Sequence, residues 1–194
     1  MRHILSLVTA SIVLAACAVE PPAEPPQMTK PPAPATSDFL TAYTEQTIPM
    51  DRATLRAFME QTPLIEFLEP TEKISNPVDG TVLTGTWPEE GAARRLELAD
   101  GHFVIERVLS NTTEAFEYQI FVFTNATGRG VEQIVGQQRF VPTEGGTRFE
   151  WTYNVLPTNP LTRLFVQRNM PEIQDYISGG LEGFADATRS AAGS

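Results

Sequence analysis

Residues 91–118 read GAARRLELADGHFVIERVLSNTTEAFEY, and within them two short strand-like runs, residues 94–99 and 102–109, meet at Asp100-Gly101. An Asp-Gly pair readily supplies the positive backbone dihedrals of a two-residue hairpin turn, so an antiparallel hairpin is predicted here. A third run begins at Phe116, after the polar turn of residues 110–113. Side chains alternate faces along a strand, so the register of the hairpin passes to that third strand as a meander. The resulting sheet is expected to form one wall of whatever site the chain carries.

Working outward, Phe149, Trp151, Tyr153 and Val155 alternate with Arg148, Glu150, Thr152 and Asn154, the clearest period-two pattern in the chain. One face of that strand meets an apolar interior and the other meets water. The preceding run, residues 131–141, is diluted by Gln133, Gln137 and Gln138, which suggests an exposed or irregular place. Runs at residues 39–48 and 82–87 bring the sheet to about seven strands, with turns at residues 128–130 and 144–146. Asp51 opens a helical pattern through Leu55, Phe58 and Met59 that Pro63 stops, and a second short helix is predicted over residues 64–68. Near the C-terminus a short helical piece, residues 161–169, precedes a longer one that Pro171 begins and that carries Ile173, Tyr176, Ile177, Leu181, Phe184 and Thr188 on one stripe. Gly179-Gly180 lies mid-helix, where each glycine costs about 1 kcal/mol relative to alanine. The pair therefore calls for a close backbone approach, a bend or a mouth that opens.

Gly91, Arg94, Asp100-Gly101, Glu106, Val108 and Tyr118, in that order and spacing, resemble the central strands of the START-like (SRPBCC) superfamily, which includes polyketide cyclases, aromatic-ligand carriers and lipid-transfer domains. The order of strand, two short helices, six strands and long helix is similar to that family's as well. The resemblance implies an α+β helix-grip fold over residues 38–190, a curved antiparallel sheet wrapped on the long C-terminal helix with an elongated apolar cavity between them. Candidate lining residues are Leu96, Leu98, Val104, Glu106, Val108, Tyr118, Ile120, Trp151, Tyr153, Ile177, Leu181 and Phe184, each of which would serve equally as plain core. The implied partner is a hydrophobic or amphipathic small molecule, a lipid or a polyketide-like compound.

Composition limits the chemistry. With 24 acidic against 14 basic residues the formal charge is -10, which argues against a nucleic-acid or anionic-membrane surface because either needs clustered Lys and Arg. Beyond the first three residues His102 is the single histidine, and Cys17 is the single cysteine of the chain. A Ser-His or Cys-His nucleophile would have to be built on His102, which follows the hairpin turn and is expected to be solvated; a histidine-ligated metal fails on the same count. No catalytic residue, metal or cofactor is therefore assigned. Glu106 alternates with Val104 and Val108, so it either points inward as a candidate general acid or base, or pairs across the hairpin with Arg94 or Arg95. Residues 111–113 and 125–127 fit a glycosylation acceptor pattern and are read as turns.

Arg2 and His3 precede an apolar run, residues 4–14, that is short for a bilayer span, and small residues follow it, as in a secretory signal. Leu14-Ala15-Ala16-Cys17 resembles the bacterial lipobox, in which the cysteine is acylated and the segment before it removed. The expected organisation is a signal at residues 1–16, a lipidated Cys17 with a tether at residues 17–37, and one domain at residues 38–190. Residues 19–37 hold seven of the sixteen prolines and almost no large apolar side chain, so an extended polyproline-like tether that supplies reach is predicted. The resemblance implies attachment to a membrane of the cell envelope; Ala18 after the cysteine is similar to the signal for outer-membrane sorting in a Gram-negative cell, with the domain facing the periplasm. The expected function is non-catalytic binding of a hydrophobic molecule by an envelope lipoprotein. The alternatives are a cyclase-like or hydrolase-like enzyme using Glu106 and Tyr118, and an envelope scaffold whose interior its own side chains fill.

Overall fold

The computed structural model describes residues 19–192. Seven strands run in the order β1 (Leu40–Ile48), β2 (Pro77–Thr84), β3 (Ala93–Leu98), β4 (Phe103–Asn111), β5 (Ala115–Phe123), β6 (Val131–Thr143) and β7 (Gly146–Pro157). Helix α1 (Arg52–Gln61) and a 3-10 turn (Leu64–Phe67) follow β1, a second 3-10 turn (Thr127–Gly130) precedes β6, and α2 (Pro160–Ala192) closes the chain. The strands form one antiparallel sheet in the order β1-β7-β6-β5-β4-β3-β2. From β2 onward each strand pairs with its neighbour in sequence, because short turns leave it no other partner. This is the helix-grip arrangement that the resemblance implies.

Local chemistry explains the elements. Along β7 burial alternates strictly, with Phe149, Trp151, Tyr153 and Val155 turned to the inner face. The Asp51 carboxylate caps α1 by accepting from the Ala53 and Thr54 amides at 2.9 and 3.1 Å, satisfying two donors that the first turn leaves free. Helix α2 packs chiefly on β1, with further contacts to β7 and to both 3-10 turns. Burying the Phe184 side chain in that seam contributes about 1.5–3 kcal/mol.

Several expectations need correction. The hairpin loop has three residues rather than two: the Gly101 amide donates to Leu98 and the Leu98 amide to His102, both at 2.8 Å, while Gly101 takes φ +79°. Strand β2 begins at Pro77, five residues before the predicted start, and is an exposed edge on which a proline without an N–H is tolerated. The glutamine-diluted β6 is an interior strand, not an exposed one, and of the two expectations for it irregularity holds, with a register shift against β7 between Val131 and Gln133.

The C-terminal segment is a single helix rather than two. Asn159 caps it by accepting from Leu161 at 2.9 Å and Thr162 at 3.0 Å, and Pro160 takes the first position. Pro171 sits inside that helix on an exposed position, where the lost hydrogen bond falls on the solvent side. Of the three reasons open for Gly179-Gly180, close approach applies to Gly180, where a Cβ would stand 2.8 Å from Leu68 Cδ2.

The proline-rich segment does not hang free. It lies along the outer face of the sheet, and because a polyproline-like chain makes no internal hydrogen bonds, its carbonyls accept from the strands. Arg95 Nη1 donates to Pro26 (3.2 Å), Arg107 Nη2 to Pro32 (3.1 Å) and Gln133 Nε2 to Ala33 (3.1 Å), while the Ala35 amide returns a bond to Gln133 Oε1 (3.1 Å). Ile105, flanked by Arg95 and Arg107, is fully buried on this outer side. The expected signal and the expected lipidation at Cys17 fall outside the described residues.

Candidate functional site

Because α2 lies toward β1 and β7, the inner face of β3 to β5 is left without a helix across it. Met59, Leu64, Ile65, Leu68 and Ile74 arch over that half of the sheet, and a cavity of about 470 Å³ remains beneath them. Its floor is Leu96, Leu98, Val104, Tyr118, Ile120 and Ile134, and α2 contributes Ile173 and Tyr176.

Of the twelve candidate lining residues, Leu96, Leu98, Val104, Glu106, Tyr118, Ile120, Trp151 and Tyr153 reach the cavity. Ile177, Leu181 and Phe184 do not; they are fully buried in the solid seam between α2 and the β1 side of the sheet. Phe184 is held edge-on by Phe58, Phe67 and Phe149 at centroid distances of 5.7, 5.6 and 5.9 Å. Val108 is also absent from the walls, buried at the strand end where it exchanges backbone hydrogen bonds with Gly91 and Ala92. The lining helix residues, Ile173 and Tyr176, belong to the same apolar stripe, so periodicity could find the stripe but not divide it.

A polar cluster interrupts the apolar wall. Arg94 and Glu106 are directly opposed in the β3–β4 register, and Nε and Nη2 of the arginine both lie 2.5 Å from Glu106 Oε1. The carboxylate therefore both points inward and forms the cross-strand ion pair. The Arg94 guanidinium also lies 3.9 Å from the centre of the Trp87 ring, a cation–π contact that holds it against the wall. The buried Gln138 amide lines the cavity beside this pair. Trp87 and Gln138 were not among the cavity candidates named from the sequence; Arg94 was named there, as one of two possible cross-strand partners of Glu106.

Three tyrosines face this cluster. The Tyr118 hydroxyl accepts from Trp151 Nε1 at 3.0 Å, and its ring lies across Gly136, where a Cβ would stand 2.3 Å from Tyr118 Cζ. Burial pushes the hydroxyls of Tyr118, Tyr153 and Tyr176 well above the ordinary tyrosine range, and the negative charge of Glu106 adds to each shift. At neutral pH they are hydrogen-bonding groups and not bases. The chemistry on offer is a mainly apolar chamber with a carboxylate, its paired guanidinium and an amide grouped on one part of its wall.

His102 is not a solvated turn residue. It is buried, with Nδ1 3.1 Å from Thr124 Oγ1 and Nε2 3.1 Å from the Val19 carbonyl. Its cover comes from a segment 83 residues earlier, so nothing local in the sequence announced it. It bonds the outer-face segment and is not among the cavity walls. Among the described residues no group of three or more His, Cys, Asp or Glu side chains is placed to hold a metal ion.

The family model described as "Polyketide cyclase / dehydrase and lipid transport" matches residues 44–192. Among solved structures the chain is similar to Ara h 8.0201, with 17% identity and a TM-score of 0.55, over 77% of this chain and 99% of that one. The protein XoxI of Bacillus cereus has 15% identity and a TM-score of 0.52, over 78% and 97%. A protein of Bacillus thuringiensis has 18% identity and a TM-score of 0.51, over 77% and 98%. At these identities the likeness is one of fold. No curated protein sequence matches the chain.

Proposed function

The chain belongs to the polyketide cyclase / dehydrase and lipid transport family, and from that premise we propose that it is an envelope lipoprotein, held by acylated Cys17, that binds an amphipathic small molecule without transforming it. The supporting observation is the cavity: about 470 Å³ lies within the range of small-molecule sites, and its wall is mainly apolar, with Arg94, Glu106 and Gln138 among its polar groups. A hydrocarbon body fills the chamber over Leu96, Ile120 and Ile134. A hydroxyl or amide head donates to the Glu106 carboxylate and bonds the Gln138 amide, both on the cavity wall.

Native mass spectrometry of the full chain purified from its own membrane tests this. The expected result is a co-purified amphipathic molecule, lost when Ile120→Trp fills the chamber; a parent chain whose mass is that of protein and anchor alone overturns it. One observation favours a second reading, catalysis, because the Glu106 carboxylate faces three buried phenols. In that case Glu106→Gln abolishes turnover of the bound molecule and leaves binding intact.

A further inference from the structure

Among the described residues six large apolar side chains are exposed, and three of them, Leu161, Leu164 and Phe165, share one face of the first turns of α2 at 86, 64 and 48% exposure. Arg168, also exposed, continues that face one turn on, and no carboxylate occurs in α2 before Glu172. Among the described residues this face stays largely uncovered, and its surroundings identify a partner.

The 3-10 turn Thr127–Gly130 packs against it: a Cβ on Gly130 would stand 3.3 Å from Phe165 Cδ1. Thr127 and Gly128 of that turn, with Asn125 just before it, line one end of the cavity. Thr124, one residue earlier, bonds His102, and His102 bonds the Val19 carbonyl. Through these contacts the outer-face segment reaches its N-terminal end at the same pole of the domain. Cys17 is two residues beyond Val19, and two extended residues span at most about 7 Å. Docking of the segment has removed its reach, so an acyl chain on Cys17 brings this pole, and no other, to the bilayer.

We propose that the pole formed by the start of α2 and the Thr127–Gly130 turn lies in a lipid bilayer interface, with Leu161, Leu164 and Phe165 below the headgroups, Arg168 among them, and the cavity end at Asn125, Thr127 and Gly128 open to the lipid. The proposal deepens the functional reading above and rests on its anchor: the bound molecule is a bilayer component, exchanged without passage through water. The net charge of -10 assigns the contact to apolar insertion rather than attraction by anionic headgroups. No described helix is long and apolar enough to cross a membrane, so α2 lies on the surface.

The test uses the full acylated chain in phosphatidylcholine vesicles carrying brominated acyl chains, with the parent tryptophan emission subtracted. Phe165→Trp is expected to be quenched about twofold or more, and Leu164→Asp in the same chain to relieve that quenching. Val82→Trp, equally exposed at 50% but on the edge strand, stays unquenched. Unquenched Phe165→Trp on protein that floats with the vesicles overturns the orientation and leaves the anchor standing. A blue shift without quenching overturns it in favour of a second copy of the chain on this face. Protein that does not float overturns anchor and orientation together, while ligand carriage is read separately by the mass measurement.

Discussion

On the inner face of the sheet a 33-residue helix crosses β1 and β7 and leaves about 470 Å³ open over β3 to β5; on the outer face a proline-rich segment passes from β3 across β4 to β6 and leaves Ile105 fully buried. The two covers differ in stiffness and in hydrogen bonding. An α-helix satisfies most of its own backbone and is a stiff rod, here about 50 Å long, so it meets a curved sheet along one seam and leaves the rest of the sheet unlined. The extended segment has unsatisfied carbonyls at every residue and conforms to whatever donors the strands present. A void is thus a property of the inner cover, and close contact a property of the outer one.

Phe184→Ala should give the largest effect, because the residue is fully buried among three aromatic rings in the filled half; a loss of about 3–5 kcal/mol is expected in denaturant unfolding. The same truncation at Phe123, on the cavity wall, should cost visibly less, since atoms facing a void have fewer contacts to lose. Equal losses would break the distinction between filled and open halves. Next in size is Arg94→Met, which leaves Glu106 without its cation; about 2–3 kcal/mol of stability should go, and neutralising both with Glu106→Gln should restore part of it. Additive losses in that double variant would show that the pair is not coupled. Smallest is Gln133→Leu on the outer face, which removes the bonds to Ala33 and Ala35 together with that to Gln119. A loss of about 1–2 kcal/mol is expected. Proteolysis within residues 19–35 should accelerate while occupancy of the cavity is unchanged; equal protection in parent and variant would mean the segment is held by something else.

How much of this was legible follows from where the deciding contacts lie. The β7 alternation, the Asp51 cap and the hairpin are written in neighbouring residues, and they yielded the strands and α1; the eight strand residues that reach the cavity were named through the family resemblance. The division of the α2 stripe was not written there: Ile173 and Tyr176 face the void and Ile177, Leu181 and Phe184 the solid seam because of how the helix lies on the sheet. The break placed at Pro171 failed because the capping side chain sits at Asn159, and a proline on the solvent side can be carried within a helix. The docking of the proline-rich segment was out of reach for another reason. It has no apolar periodicity, and its partners are 69 to 100 residues away.

The sequence by itself determined which faces are apolar and where turns and caps fall, because those depend on interactions within a few residues; the grip of a curved sheet on the long helix was implied by the family resemblance. Tertiary structure alone decided that the helix leaves half the sheet uncovered, that Arg94 and Glu106 meet inside the space it leaves, and that the N-terminal segment is laid along the outside. Those outcomes depend on the tilt of rigid elements and on bonds between distant residues, neither of which leaves a periodic trace in the chain.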